Sequence, residues 1–339
     1  MWRRLLWTVV LLGIFIGAPV GWGAWELTRP IRHPEVVVTI APGSSVAAIA
    51  RELAAAGAIG SPAAFQFLVR AVGRARYLKA GEYVIPDGAS MLAVYRKLRR
   101  GEFRTFRIRL PEGWSMRQIA AYLEQQPFAR PGFGAEFLAA CRDPAFLARL
   151  GLEGAASLEG YLYPSTYDLH RPGSAEDVAA RLVAELLRQI TPAMRERAAA
   201  MGLSLHHLLT LASIIEKETG AAAERPLVSS VFHNRLKQGM ALASDPTVIY
   251  GLPQFDGNLR KADLRDPHPY NTYVHAGLPP GPIANPGLAA IEAALRPAAT
   301  EYLFFVSRGN GTHAFASTYE EHLRNVATYQ RHDPNQAER

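Results

Sequence analysis

The chain holds a single cysteine, Cys141, in 339 residues. No intrachain disulfide can form, and a zinc site built from several cysteines is excluded. Cys141 lies too far from the N-terminus for the usual kind of lipid attachment and is expected to be a small buried apolar residue. His206 and His207 are adjacent, not i, i+4 partners, so they do not present a helical zinc pair. His268, His275 and His313 would meet only if the fold gathered them. There is no G-x-S-x-G elbow and no phosphate-binding glycine loop. The net charge is +7, but the basic residues are scattered. The densest run is Arg96-Lys97-Leu98-Arg99-Arg100, followed by Arg104, Arg107 and Arg109, and no nucleic-acid motif surrounds it. The bland reading is a solvated face; the functional one is a surface that tolerates anionic lipid or anionic wall polymer. Metal, cofactor and nucleic acid are therefore not expected.

What is present begins with one apolar run, Leu5 to Leu27, uncharged before Glu26. At about 1.5 Å per residue it reaches across a hydrocarbon core of roughly 30 Å. Trp2, Trp7, Trp22 and Trp25 sit near its ends, where indole rings favour headgroups. Arg3 and Arg4 favour a cytoplasmic N-terminus, although Arg29 and Arg32 weaken that bias. Gly21, Gly23 and Ala24 would permit cleavage of a signal peptide. The length of the run favours an uncleaved anchor with residues 29–339 exported. No second span follows.

Thr28 to Pro34 is a proline-punctuated linker. Val36–Ile40 is a strand candidate, Ala41-Pro42-Gly43-Ser44 a turn, and Ser45 the cap of a helix over Val46–Ala56. The unit recurs as a strand at Phe106–Leu110, a turn at Pro111–Trp114, and Ser115 before Met116, Ile119 and Leu123. Between them, Tyr77–Pro86 reads as a strand entering a turn at Pro86-Asp-Gly88, with a helix over Met91–Leu98. Val36 to about Glu102 loosely resembles a LysM-like module, a small fold that grips glycan. Beyond Arg107 the pattern predicts helices at 135–149, 175–190, 192–201, 204–218, 225–239, 287–295 and 317–331, and strands at 302–306 and 313–316. The fold class is α+β: an N-terminal transmembrane helix, a LysM-like subdomain, then a mixed, helix-rich catalytic domain. The expected boundaries are 1–28 for the cytoplasmic start and anchor, 29–105 for the linker and LysM-like part, 106–332 for the catalytic domain and 333–339 for a polar tail.

The helix over Ser204–Glu218 is apolar around most of its circumference and is expected to be buried. Glu216 projects between Leu205 and Leu209, and Glu218 on another side near Leu211 and His207. A carboxyl among apolar neighbours is harder to ionise, which suits a general acid near neutral pH. The bland reading is two ordinary polar residues at a helix end, and the projection does not choose between the glutamates. Asn234 and Arg235 stand out on a helix whose core face is Val228, Val231, Phe232 and Leu236. Asp245 before Pro246 favours a turn. Tyr270-Asn-Thr-Tyr273 and the proline-rich Gly277–Pro286 form a rigid loop pair whose rings and amides suit sugar faces and hydroxyls.

Leu158-Glu-Gly-Tyr-Leu-Tyr-Pro-Ser-Thr-Tyr167, Ala212-Ser-Ile-Ile-Glu-Lys-Glu-Thr219, Ser244-Asp-Pro-Thr-Val-Ile-Tyr-Gly251, Tyr270-Asn-Thr-Tyr273 and Gly277-Leu-Pro-Pro-Gly-Pro-Ile283 resemble, in order and spacing, the endolytic murein transglycosylases of the MltG/YceG-like family. The resemblance covers nearly the whole chain. It departs from the family at Ala243, where Gln is frequent, and at Pro267-His268. It implies an inner-membrane protein with its catalytic domain on the periplasmic or wall side. Such a protein cleaves the bond between N-acetylmuramic acid and N-acetylglucosamine in nascent strands, leaves 1,6-anhydro ends, terminates strand growth and works with synthases of the elongation machinery. It places the catalytic glutamate on Glu216. Asn234, Asp245, Asn271 and Tyr273 are the expected glycan contacts. Two other readings stay open. One is a hydrolytic muramidase with Asp245, Asp168 or Glu224 as second carboxylate. The other is an anchored glycan-binding protein without catalysis.

Overall fold

One local device, a left-handed glycine followed two residues later by a capping serine, starts four helices among the described residues. Gly43, Gly88, Gly113 and Gly202 have φ of 77°, 74°, 74° and 72°, a region only glycine enters cheaply. Ser45, Ser90, Ser115 and Ser204 then accept a backbone N–H of the following helix through their side chains, which satisfies one of its orphan donors. The pattern reading recognises the first and third copies; the structure adds the second and fourth.

The computed structural model describes residues 25–72, 78–170 and 174–330, with Trp2 and Gly23. The chain divides into two compact units, Met1–Phe106 with Asp168–Arg171, and Arg107–Tyr167 with Pro172–Arg339. Most of the expected span, with Tyr77 and the polar tail from 333, lies outside the described residues. Among the described residues no single helix is long and apolar enough to cross a membrane.

In the first unit β1 (Val36–Ile40) leads to α1 (Val46–Ala55), α2 (Pro62–Ala71), β2 (Gly81–Ile85) and α3 (Met91–Arg100). β1 and β2 pair antiparallel, from Val36 opposite Ile85 to Ile40 opposite Gly81. Val38, Ile40 and Ile85 point inward to Ile49, Leu53, Phe65, Val69, Val94 and Leu98, which form one buried core. α2 is absent from the pattern reading; Ser61 caps it and Pro62 opens it.

β3 (Thr105–Arg109) pairs with β4 (Thr166–His170) as a two-stranded sheet. The second unit continues with α4 (Met116–Glu124), α5 (Phe133–Ala140) and α6 (Pro144–Arg149). The single helix expected over 135–149 is therefore two. Asp143 caps the second, accepting the N–H groups of Ala145 and Phe146, and Pro144 cannot continue the first. Cys141 at the break is buried, as expected. Next come α7 (Ala175–Gln189), α8 (Pro192–Ala200), α9 (Leu205–Glu218), α10 (Arg225–Lys237), α11 (Asp245–Gly251) and α12 (Leu288–Leu295). The hairpin of β5 (Phe304–Ser307) and β6 (His313–Ala316) and a last helix, α13 (Tyr319–Tyr329), complete the unit. Asp245-Pro246, read as a turn, opens the short helix α11: proline suits the first turn of a helix, where its missing N–H is not needed. The buried run Leu208–Ile215 makes α9 the central helix, packed on α12, α10 and α11.

Candidate functional site

α9 delivers two carboxylates at its C-terminal end. Ser204 caps its start by accepting the His207 N–H at 3.1 Å, and Thr219 leaves the helix with extended dihedrals. Residues two apart on a helix project roughly 200° apart. Glu216 and Glu218 therefore enter different surroundings.

Glu216 is held inside the fold. Its side chain is 7% exposed, and Oε1 accepts from Arg225 Nη2 at 3.4 Å. Its Oε2 accepts the Gly287 N–H at 3.0 Å. Gly113 lies against its Cγ, and the Glu112 carboxylate lies on Gly287. The turn carrying them is tied down by the Asn285 backbone, with Gly113 N–H donating to Asn285 O and Asn285 N–H to Trp114 O, both at 2.9 Å. Burial raises the Glu216 pKa; the Gly287 amide and Arg225 oppose it, and Glu112 adds to it.

Glu218 faces a cleft of about 540 Å³ that it lines with Arg235, Asp245, Tyr273, Phe305 and His313. Its Oε1 accepts the Ser244 hydroxyl in a short bond. Burial pushes its pKa up to about 7 and Asp245 adds to the rise, against Ser244 and Arg235. Asp245 accepts the Tyr273 hydroxyl at 2.6 Å. The loop before α11 is stapled to Thr272, whose carbonyl accepts Ala243 N–H at 2.9 Å and whose hydroxyl accepts Ser244 N–H at 3.0 Å. Ala243, beside Glu218 in the cleft, holds φ at +46°, a strained region for a residue with a Cβ.

A third buried carboxylate, Glu159, is absent from the sequence-predicted site. Its Oε1 accepts Met116 N–H at 2.9 Å and Asn285 Nδ2 at 3.1 Å, and its Oε2 accepts the Tyr250 hydroxyl at 3.2 Å. Burial pushes its pKa up to about 7. Asn285 Oδ1 accepts Leu162 N–H at 2.9 Å. This node locks the Leu158–Tyr167 segment, the start of α4 and the approach to Gly287 together. The signal was present in the sequence as a lone Glu within the apolar Leu158–Tyr163 run.

Of the expected glycan contacts, Asp245 and Tyr273 share the Glu218 cleft, whereas both asparagines are used by the fold. Asn234 Nδ2 donates to Thr300 O at 2.9 Å and Tyr302 O at 3.0 Å. Asn271 is buried, and its Nδ2 donates to Asp263 O at 3.2 Å and Asp266 O at 2.7 Å. Arg235 donates to Leu303 O and Leu242 O at 2.7 and 2.6 Å. Among the alternative carboxylates, Glu224 is engaged with His313 Nδ1 at 2.7 Å, and Asp168 lies on β4 in the other unit. His268 lies against Tyr270, with ring centres 5.8 Å apart, and His275 against Pro267 O at 3.0 Å. No group of three or more His, Cys, Asp or Glu that could hold a metal occurs among the described residues.

The sequence profile of the YceG-like family matches residues 38–328. An endolytic murein transglycosylase of Bacillus subtilis is 35% identical over 310 residues, covering 87% of this chain and 84% of that protein. An endolytic murein transglycosylase of Streptococcus pneumoniae is 30% identical over 322 residues, covering 87% of this chain and 58% of the longer relative. The crystal structure of a yceG-like protein from Listeria monocytogenes superposes with a TM-score of 0.60 at 33% identity, covering 86% of this chain and 98% of that one. With its motifs in order and the match running through both units, this chain belongs to the YceG-like family.

Proposed function

We propose that this protein is an endolytic peptidoglycan lytic transglycosylase and that Glu218 is its acid and base. The observation that carries the reading is the Glu218 carboxyl, which lines a cleft with Asp245, Arg235 and Tyr273 and whose pKa burial pushes up to about 7. Glu216, the residue the family resemblance singles out, also has its pKa raised by burial, but its oxygens are taken up by Arg225 and the Gly287 amide and it does not line this cleft. The curated relatives named as endolytic murein transglycosylases support the activity.

Protonated Glu218 gives its proton to the oxygen joining N-acetylmuramic acid to N-acetylglucosamine, and the C1–O bond breaks. The N-acetyl group of the substrate stabilises the positive charge that develops at C1. Glu218, now a carboxylate, accepts the proton of the C6 hydroxyl as O6 bonds to C1. The muramic acid ends as a 1,6-anhydro ring, the leaving sugar as an alcohol, and Glu218 is protonated again. One carboxyl serves both steps, where hydrolysis by a glycosidase uses two. No water, metal or nucleotide enters. Asp245 is the second carboxylate in the cleft, with its Oδ1 accepting from Tyr273, and is the candidate base should the products carry reducing ends.

The wider setting belongs to the same proposal. The run Leu5–Leu27 anchors the protein in the inner membrane with its N-terminus in the cytoplasm and both units on the periplasmic or wall side. Two helices enclosed between paired strands support a LysM-like grip on glycan in the first unit. Termination of nascent strands beside the elongation synthases would follow from an anchored, endolytic cut.

The test is mass spectrometry of products from the full chain in detergent with uncrosslinked strands. A 1,6-anhydro end, lighter by one water than a reducing end, is expected. Reducing ends would mean a hydrolase, and no product from wild type would favour a binding protein. Glu218→Gln is expected to lower the rate roughly 10²- to 10⁴-fold, and Glu216→Gln much less. The reverse ranking would return the acid role to Glu216.

A further inference from the structure

A second cleft of about 500 Å³ in the same unit contains Arg117, Gln118, Lys217, Ile249, Leu252 and Phe255 in its lining. It begins one residue from each end of the Glu218 site. Lys217 precedes Glu218 on α9, and Pro246, also in this lining, follows Asp245 on α11. Every charged side chain that lines it is a cation, and no carboxylate does. Neither Arg117 nor Lys217 takes part in an ion pair among the described residues. Gln118 spends its Oε1 on Ser115 N–H at 2.8 Å, which leaves its amide hydrogens as donors. Ile249, Leu252, Pro253 and Phe255 add apolar carbon to the lining, and Phe255 is 42% exposed. A lining that combines donors and cations with alkyl and aromatic carbon suits a short chain that carries carboxylates and small apolar groups.

We propose that this cleft is a subsite for the acidic peptide substituent of the muramic acid residue, read by Arg117 and Lys217 through its carboxylates and by the apolar carbon of the lining through its alanyl methyls. The inference rests on the transglycosylase reading. It makes the enzyme select peptide-bearing over bare glycan while the cut itself stays at Glu218.

The full chain in detergent is assayed on strands that keep their stem peptides and on strands stripped of them by an amidase. Release of 1,6-anhydro ends from either substrate by wild type establishes the underlying reading independently of the subsite. Arg117→Ala with Lys217→Ala is expected to raise KM for peptide-bearing strands roughly tenfold, the reach of two exposed charge pairs. It should leave kcat and the bare-strand KM near wild type and flatten the salt dependence of the peptide-bearing reaction. Arg117→Lys, which keeps the charge, is expected to retain most of the preference. An equal loss on both substrates, or no loss on either, would overturn the subsite. Unchanged thermal melting of the double variant guards against a folding explanation.

Discussion

The Ser244 hydroxyl donates to Oε1 of Glu218, joining the end of α9 to the residue that precedes α11. A donor on a carboxylate favours its charged form, so this bond holds the Glu218 pKa below where burial alone would put it. The protonated fraction of a general acid falls as pH rises through its pKa. The basic limb of kcat/KM is thus expected near pH 7 in wild type. Ser244→Ala removes the opposing bond and is expected to move that limb to higher pH. A limb that stays in place would mean that the titrating acid is elsewhere, with Glu216 the next residue to mutate.

Glu159 gives a second pH effect, on stability. Its folded pKa is raised from the model-peptide value of 4.5 to about 7. The folded state therefore binds its proton more tightly, and stability is full below about pH 4.5. It declines from there as pH rises and levels off above about 7. A shift of this size corresponds to ~3 kcal/mol at order of magnitude. Glu159→Gln keeps an acceptor for Met116 N–H and removes the titration. Melting temperature measured from pH 5 to 8 is expected to fall less steeply in the variant. Glu218 titrates in the same window, so a residual slope remains. Parallel slopes in the two proteins would show that Glu159 does not titrate there.

Gly160 separates backbone strain from crowding. Its φ is +83°, and an added Cβ would sit 2.4 Å from both Cβ and Cγ of Pro282. Gly43 has a similar φ of +77° with open space around it. Gly43→Ala is expected to cost about 1–2 kcal/mol, the left-handed penalty alone. Gly160→Ala adds overpacking against a rigid ring and is expected to cost about 2–5 kcal/mol. Denaturant midpoints check the pair. Equal losses would mean that the Pro282 loop yields.

Much of this architecture was legible in the sequence because it is locally encoded. The Gly-x-Ser turns, the buried α9 and the hairpin near the C-terminus follow from periodicity, capping and β-branched or aromatic runs. What escaped is long-range. Glu216 and Glu218 share a helix end, and only the positions of Gly287, Arg225 and Ser244, brought in from other segments, distinguish them. The Glu159–Asn285 bond spans 126 residues, and no local pattern foreshadows such a partner. Conversely, Asn234 and Asn271, expected as glycan contacts, spend their amide hydrogens on backbone carbonyls brought from other loops, partners that no local pattern announces.

That last difference can be measured. Asn234 and Asn271 each place both amide hydrogens on backbone carbonyls. Asn234→Ala or Asn271→Ala strands those carbonyls, at about 1–3 kcal/mol for the buried ones. Both variants are expected to melt at lower temperature while the surviving folded enzyme keeps its KM. Tyr273 is 38% exposed, and its hydroxyl reaches Asp245 inside the Glu218 cleft. Tyr273→Phe is expected to leave melting nearly unchanged and to lower kcat/KM, because Asp245 loses the donor that orients it beside the acid. If the asparagine variants instead raise KM without loss of stability, their amides must leave the carbonyls to meet the glycan. The loops carrying Thr300 and Asp266 would then have to rearrange on binding.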